Sequence, residues 1–293
     1  MHRSVSTLAA ALVLCLGAVA CGGGSDAGGN EAASDGPAPT RIDFDPTNFV
    51  DPTTSTNPLH PTVPGTQWVR SGTTEVGSRA VPHQVISTMT DVVRMIDGVP
   101  AVAMLDQSTD AGETAQAGLD WFALDRDGNL WILGGYTEDY EGGVYTNYED
   151  AWLGAASGGE PGILVPGEVT IDTPRWFVGA TEPDDDGSVA EPVEVGVSQC
   201  VEFGCYDDVT VIREGEIGAI DNEFKYYAPG VGVVLNDPRD ASLHQDYFEL
   251  TNLIALSPAG LAEMSQVALD LEAHAREVTP DVYGAAPPAA RQS

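Results

Sequence analysis

The chain has 293 residues, with 12 Lys or Arg against 45 Asp or Glu, a formal charge of −33 at pH 7. A surface of that sign repels nucleic acid and anionic lipid headgroups, so no nucleic-acid partner is expected. Lys225 is the single lysine, and the acidity reads either as adaptation to a GC-rich or salty source or as a surface for calcium or a cationic ligand.

In chain order, Arg3 precedes an almost unbroken apolar run from Val5 to Ala20. At 16 residues it falls short of the roughly 20 that a spanning helix needs, and it has the size of a signal-peptide core. The run ends in Ala18-Val19-Ala20-Cys21, which resembles the bacterial lipobox, with Ala18 where that motif prefers Leu. The resemblance implies a signal peptide over 1–20, removed together with Cys15, and a mature N-terminus at Cys21. That cysteine would carry a diacylglyceryl group and an amide-linked acyl chain such as palmitate. A plain secretory signal with an incidental Cys21 is the alternative. Each buried methylene contributes roughly 0.8 kcal/mol, so two or more chains give stable membrane residence. Residues 21–45 open with Gly, Ala, Ser, Asp and Asn, a composition that buries no core and reads as a flexible tether. The expected place is the cell envelope, lipid-anchored and facing away from the cytoplasm.

Residues 46–256 read as one antiparallel β domain. Short β-branched or aromatic runs follow one another, with turn signals every 8 to 12 residues or so, as in a meander, sandwich or barrel. Strands are expected at 65–72, 81–96 and 99–105, the last two joined by an Asp97-Gly98 turn. Further strands are expected at 119–125, 130–135 and, after a Gly142-Gly143 turn, 142–152. The Pro/Gly-rich stretch 158–167 reads as a loop. Strands resume at 168–171, 175–180, 191–198, 208–215, 222–228, 230–236 and 247–256. Cys200 and Cys205 remain once Cys15 and Cys21 are assigned, and in an exported chain such a pair favours a disulfide. Straight strand geometry would hold them about 16 Å apart, so a bridge requires Val201–Gly204 to fold back. One helix is expected over 257–279, N-capped by Ser257 with Pro258 at its first position and an apolar stripe through Leu261, Met264, Ala268, Leu271, Ala275 and Val278. Residues 280–293, rich in Ala and Pro, read as a disordered tail. The expected architecture is mainly β: one large curved antiparallel meander sheet, half-barrel or barrel-like, with a single C-terminal amphipathic helix.

The phrases "NPLHPTVPGTQWVRSG" (57–72), "DWFALDRDGNLWILG" (120–134), "EPGILVP" (160–166) and "EFKYYAPGVGVV" (223–234) resemble those of a group of exported bacterial lipoproteins. The last phrase is also similar to the closing hairpin of curved-sheet envelope lipoproteins of the lipoprotein-carrier type. That likeness implies a bent sheet wrapped against helices, able to hold an acyl chain. The Cys200–Cys205 insertion and the long terminal helix depart from it.

No catalytic motif stands out. The histidines show no metal-ligand spacing, and neither a nucleophile elbow nor a dinucleotide loop is present. "LDRDGNLW" fails as an EF-hand at both ends and reads as a tight hairpin. Asp184, Asp185 and Asp186 form an acidic loop that could hold calcium, the only cofactor considered, although such loops are usually just solvated. Trp121, Trp131, Tyr136, Tyr140 and Trp152 crowd neighbouring hairpins among acids. They suggest a ligand cleft between sheet and helix for a small apolar or glycan ligand, with cross-strand core packing as the alternative. The expected function is a monomeric, non-enzymatic binding module, and the rival is a carboxylate-dependent glycan hydrolase. Replacing Cys21 with Ala is expected to move the protein from the detergent phase to the aqueous phase on partitioning. Retention in detergent would place the anchor elsewhere.

Overall fold

The computed structural model describes residues 37–54, 56–183, 186–216, 223–239 and 246–292. The expected signal peptide, Cys21 and most of the expected tether lie outside these residues, as do Asp184 and Asp185. Of the sequence-predicted acidic loop, Asp186 is described, and it is exposed.

Among the described residues, a single-turn 3-10 helix at Pro46–Asn48 leads into fifteen strands and one helix. The strands are β1 (Phe49–Val50), β2 (Thr66–Val76), β3 (Arg79–Ile96), β4 (Val99–Asp110), β5 (Glu113–Asp125), β6 (Leu130–Glu141), β7 (Val144–Leu153) and β8 (Glu160–Val165). They continue with β9 (Trp176–Ala180), β10 (Ser188–Val201), β11 (Gly204–Glu216), β12 (Glu223–Ala228), β13 (Gly232–Asp237) and β14 (Tyr247–Ala255). Helix α1 (Pro258–Val278) and β15 (Ala290–Arg291) complete the chain. Neighbouring strands pair antiparallel in the order β5-β4-β3-β2-β14-β13-β12-β11-β10-β9-β8-β6, and β6 pairs back to β5, so twelve strands close a barrel. The barrel-like sheet with one terminal helix is therefore the observed class.

Closure depends on β6. It pairs with β5 along most of its length, with β8 near its start and with β7 near its end. The stretch expected to be a loop, 158–167, supplies β8, whereas 168–171 is not a strand. Its glycine is the reason: a Cβ on Gly162 would lie 2.4 Å from the Val178 carbonyl oxygen, so only glycine lets β9 approach this closely. Three hairpins turn on pairs of positive-φ residues: Asp97-Gly98, Ala111-Gly112 and Gly142-Gly143. Such pairs match the twist of the flanking strands.

Register assigns each residue to one of the two faces of the wall, since directly opposed residues share a face. One face carries Arg70, Ser87, Asp106, Asp120 and Lys225. Asp106 on β4 and Lys225 on β12 lie five strands apart in the sheet yet attract one another, so this face looks into the lumen. The other face carries Leu105, Leu119, Trp121 and Tyr136, all buried. Helix α1 packs there, against β3, β4 and β5. The Ser257 hydroxyl accepts the Gly260 N–H, as the cap predicts, and the helix buries Ala268, Leu271 and Ala275.

Residues 280–292 are not a disordered tail. Tyr283 is fully buried, and β15 pairs with β3 through Ala290↔Val93. The apolar composition alone would not hold this segment. Arg276 does so by donating to the carbonyls of Tyr283 (2.8 Å) and Ala286 (2.6 Å). Arg94 donates to Pro287 O and pairs with the buried Glu272 at 3.5 Å.

At one end of the barrel, the segment 57–65 forms a floor. Asn57 donates to the carbonyls of Gly128, Val165 and Pro166, and its own oxygen accepts the N–H groups of Leu59 and His60. His60 sits beneath Trp68 and Phe122. Burial, with Arg70 and Lys225 adding to it, pushes this imidazole down to about 3, so it is neutral.

Cys200 and Cys205 are directly opposed at the tip of the β10–β11 hairpin and form a disulfide, with Val201–Gly204 folded back between them. The tip is fastened to β14 by Phe203 N–H to Leu250 O (3.1 Å) and Glu202 N–H to Glu249 Oε2 (2.9 Å). Replacing both cysteines with Ser is expected to lower stability by about 2 kcal/mol, the chain-entropy value for so small a loop. Chemical denaturation measures this, and intact mass after alkylation without reductant should show no labelled thiol in the parent protein.

Candidate functional site

The aromatic candidates do not line a cleft between sheet and helix. Trp121, Trp131, Tyr136 and Trp152 are all buried, and each has a structural partner. Trp121 Nε1 donates to Tyr283 Oη, which donates to Gly135 O, while Arg94 lies over both rings. Trp131 packs on Phe44 and Phe49 and donates to Asp125. The Trp152 ring lies against Gly135 and Gly159, where any Cβ would meet it at 3.0 Å or less. Tyr136 and Tyr140 both donate to Glu138, which also accepts His274 Nδ1 from α1 at 2.5 Å. This cluster latches the helix to the β6–β7 hairpin. Asp125 is likewise spent locally: it accepts the N–H groups of Asp127 and Asn129, the Asn129 amide and the Trp131 indole. The calcium-like loop is thus a hairpin closed on its own carboxylate. Among the described residues no three His, Cys, Asp or Glu side chains converge as a metal site would require.

The recess lies elsewhere, inside the barrel at the end opposite the floor. The β2–β3, β4–β5 and β6–β7 turns surround a pocket of about 840 Å³. Its inward lining includes Thr74, His83, Ser108, Asp110, Gln116 and Asp139. Here His83 Nδ1 donates to Asp110 at 2.7 Å, and Gln116 Nε2 donates to Asp139 at 2.8 Å. The remaining polar atom of each, His83 Nε2 and Gln116 Oε1, is buried with no hydrogen-bond partner.

One rung deeper, Asp106 on β4 and Asp120 on β5 are diagonal neighbours on the lumen face, exposed by 3% and 1%. Gly118 stands opposite Asp106, and a Cβ there would press on Thr137 Oγ1 at 3.2 Å. None of the four carboxyl oxygens has a hydrogen bond of good geometry. Burial raises both groups above the ordinary carboxylate range. Asp120 is raised the more, because the Asp106 charge adds to its burial while the Ser87 hydroxyl and the Arg70 charge hold Asp106 down. Two carboxyls this close favour a state that holds one proton between them. Arg70 donates to Val233 O (3.0 Å) and Ser87 Oγ (3.0 Å), and burial lowers its guanidinium to about 10. Lys225 pairs with Glu214 at 2.6 Å, and Tyr227 donates to the same carboxylate.

Acidity continues around the lumen. Burial raises Asp150 to about 7, helped by Glu149, Asp139, Glu182 and Glu216. Burial also raises Asp246 to about 6, against the pull of Thr74 and His83. None of these residues was legible as a site, because each sits in a strand or a turn where an acid reads as solvent-facing. Comparison of the chain with protein-family models, with curated proteins and with solved structures gives no match.

Asp150 supplies a direct test of this electrostatic reading. In the unfolded chain it titrates near 4, whereas in the fold it keeps its proton to about 7. The folded state therefore binds more protons between those values, and the group's contribution to stability is lost as pH rises from about 4 to 7. Asp150 also has φ = 51°, a conformation that Asn accepts readily. Asp150→Asn is expected to raise the melting temperature by a few degrees at pH 8, with a much smaller gain at pH 5. An equal gain at both values would mean that Asp150 is not held protonated by its surroundings.

Proposed function

We propose that this chain is a non-enzymatic binding protein of the bacterial envelope, anchored through lipid on Cys21. Its ligand is a small polar molecule taken into the barrel. The observation that carries this reading is the 840 Å³ recess whose inward polar atoms, His83 Nε2 and Gln116 Oε1, are buried without partners. Recesses of this size accommodate small ligands, and a few convergent polar groups commonly set their orientation. Burying a hydrogen-bonding atom without a partner is costly, so such atoms inside a recess point to something that satisfies them.

The site favours a polar ligand over an apolar one, and it moves the expected cleft from the sheet–helix layer into the lumen. It also favours binding over hydrolysis. A glycosidase needs two carboxyls set roughly 5–10 Å apart about a scissile bond, whereas Asp106 and Asp120 are buried diagonal neighbours below the pocket and Asp110 is engaged by His83. The long apolar signal-like run, the lipobox-like Ala18–Cys21 and the glycine-rich stretch after it support the anchored location.

Ser108 lines the recess from β4, and replacing it with Trp fills the space without touching the floor or the helix layer. In a thermal-shift screen of sugars, amino acids and amines, at least one polar class is expected to stabilise the parent protein. Ser108→Trp should abolish that stabilisation while still unfolding cooperatively. A ligand whose effect survives Ser108→Trp would place binding outside the lumen.

A further inference from the structure

Most unpartnered atoms of the lumen are acceptors. Gln116 is oriented by its amide nitrogen on Asp139, which leaves Oε1, an acceptor, free. Asn236, on the lumen face of β13 opposite Phe248, is oriented the same way: its nitrogen donates to Asp246 O, and its buried Oδ1 has no partner. With His83 Nδ1 directed at Asp110, Nε2 is the ring position left open to the recess. Below them stand the four oxygens of Asp106 and Asp120. The two buried cations are already engaged: Arg70 bonds Val233 and Ser87, and Lys225 bonds Glu214. Arg79 stands at the rim of the recess, and Trp176 Nε1 and Thr137 Oγ1 are open on the same face, but the unpartnered amide and carboxyl oxygens outnumber them.

We propose, building on the recess reading above, that the barrel binds a small organic cation carrying two or more ammonium groups. One amine sits among Gln116, Asp139 and His83, and a deeper one is held by the Asp106–Asp120 pair. The spacing suits such a molecule. Asp106 lies two residues along β4 from Ser108, which faces Gln116, and Asp120 lies four residues along β5 from Gln116, so the deeper carboxyls stand about 7 Å and about 13 Å from the Gln116 level at strand rise. A chain of several methylenes between amines spans such distances. A compact metal ion does not, and no three metal-ligating side chains converge among the described residues. A neutral sugar could donate its hydroxyls but would leave the carboxyl charge uncompensated. Because the two carboxyls favour holding a proton between them, seating an ammonium there should release it.

The acidity of the whole chain attracts any amine weakly, so the experiment must separate lumen binding from surface attraction. Isothermal titration of the mature full-length chain in detergent, at 150 mM salt, would use 1,4-diaminobutane and spermidine as probes. The neutral isostere 1,4-butanediol and a cello-oligosaccharide serve as controls. The expected result is one-to-one binding of the amines, no binding of the diol, and proton release seen as a dependence of the heat on buffer. Affinity should fall at least tenfold in Asp106→Asn/Asp120→Asn and again in Gln116→Leu. The paired Asn variant removes like charge and should fold, which its melting curve checks.

Amine binding that is multivalent, vanishes at 150 mM salt or ignores both variants would overturn the proposal. So would saccharide or diol binding that Ser108→Trp blocks in the absence of amine binding, although the recess reading would then stand. If no probe of any class binds in a Ser108-dependent way, both fail.

Discussion

Twelve strands enclose more space than their inward side chains fill with apolar groups, and the rest of the structure answers to that constraint. Barrels of about eight strands close on a packed interior, and wider ones leave a lumen. Here the lumen is lined by Arg70, Asp106, Asp120, Glu214 and Lys225, residues that a dry core would exclude. The floor segment, held by the five hydrogen bonds of Asn57, shuts one end and keeps the wet space as a recess rather than a channel. Within it Arg70 and Lys225 are bonded, while most of the unpartnered buried atoms are acceptors. The proposed preference for a cation rests on that imbalance.

The apolar face of the wall, turned outward, creates the opposite problem, and residues 258–292 solve it. Helix α1 covers β3 to β5, and Tyr283 seals Trp121 through a hydrogen bond at 3.0 Å. Two arginines do the fastening. Arg94 is sandwiched near Trp121 and Tyr283 and faces Glu272, and Arg276 gathers the carbonyls of the last loop. The aromatic cluster is thus mainly a cover for the barrel, although Tyr140 also lines the recess. Its one polar feature, Glu138 with Tyr136, Tyr140 and His274, joins the cover to the wall.

Local chemistry made much of the fold legible. The Asp97-Gly98 and Gly142-Gly143 turns, the Ser257 cap with Pro258 and the Cys200–Cys205 bridge all follow from residue types at fixed offsets. Closure did not, because it depends on β6 pairing three different strands, one of which hides in "EPGILV" behind a proline and a glycine. The tail was misread because its order comes from Arg94 and Arg276, distant donors that its own Ala and Pro do not announce. The lumen site was illegible for a subtler reason. In "AMLDQSTD" the run from Asp106 to Asp110 is polar throughout, so no alternation marks Asp106, Ser108 and Asp110 as one face. A polar run reads the same whether those residues meet outside solvent or a wet interior. Only the partner strands, and the helix laid on the apolar face, decide between them.

A crystal structure of the mature chain, at a resolution that shows ordered water, tests the central claim most directly. The account predicts a solvated recess beneath the three hairpin turns. Discrete donors, whether water or a bound cation, should stand within hydrogen-bond distance of Gln116 Oε1 and of the Asp106 and Asp120 carboxyls. A dry lumen, with Gln116 and the two carboxyls turned onto Arg70, Lys225 or Ser87 and no space left between them, would contradict it.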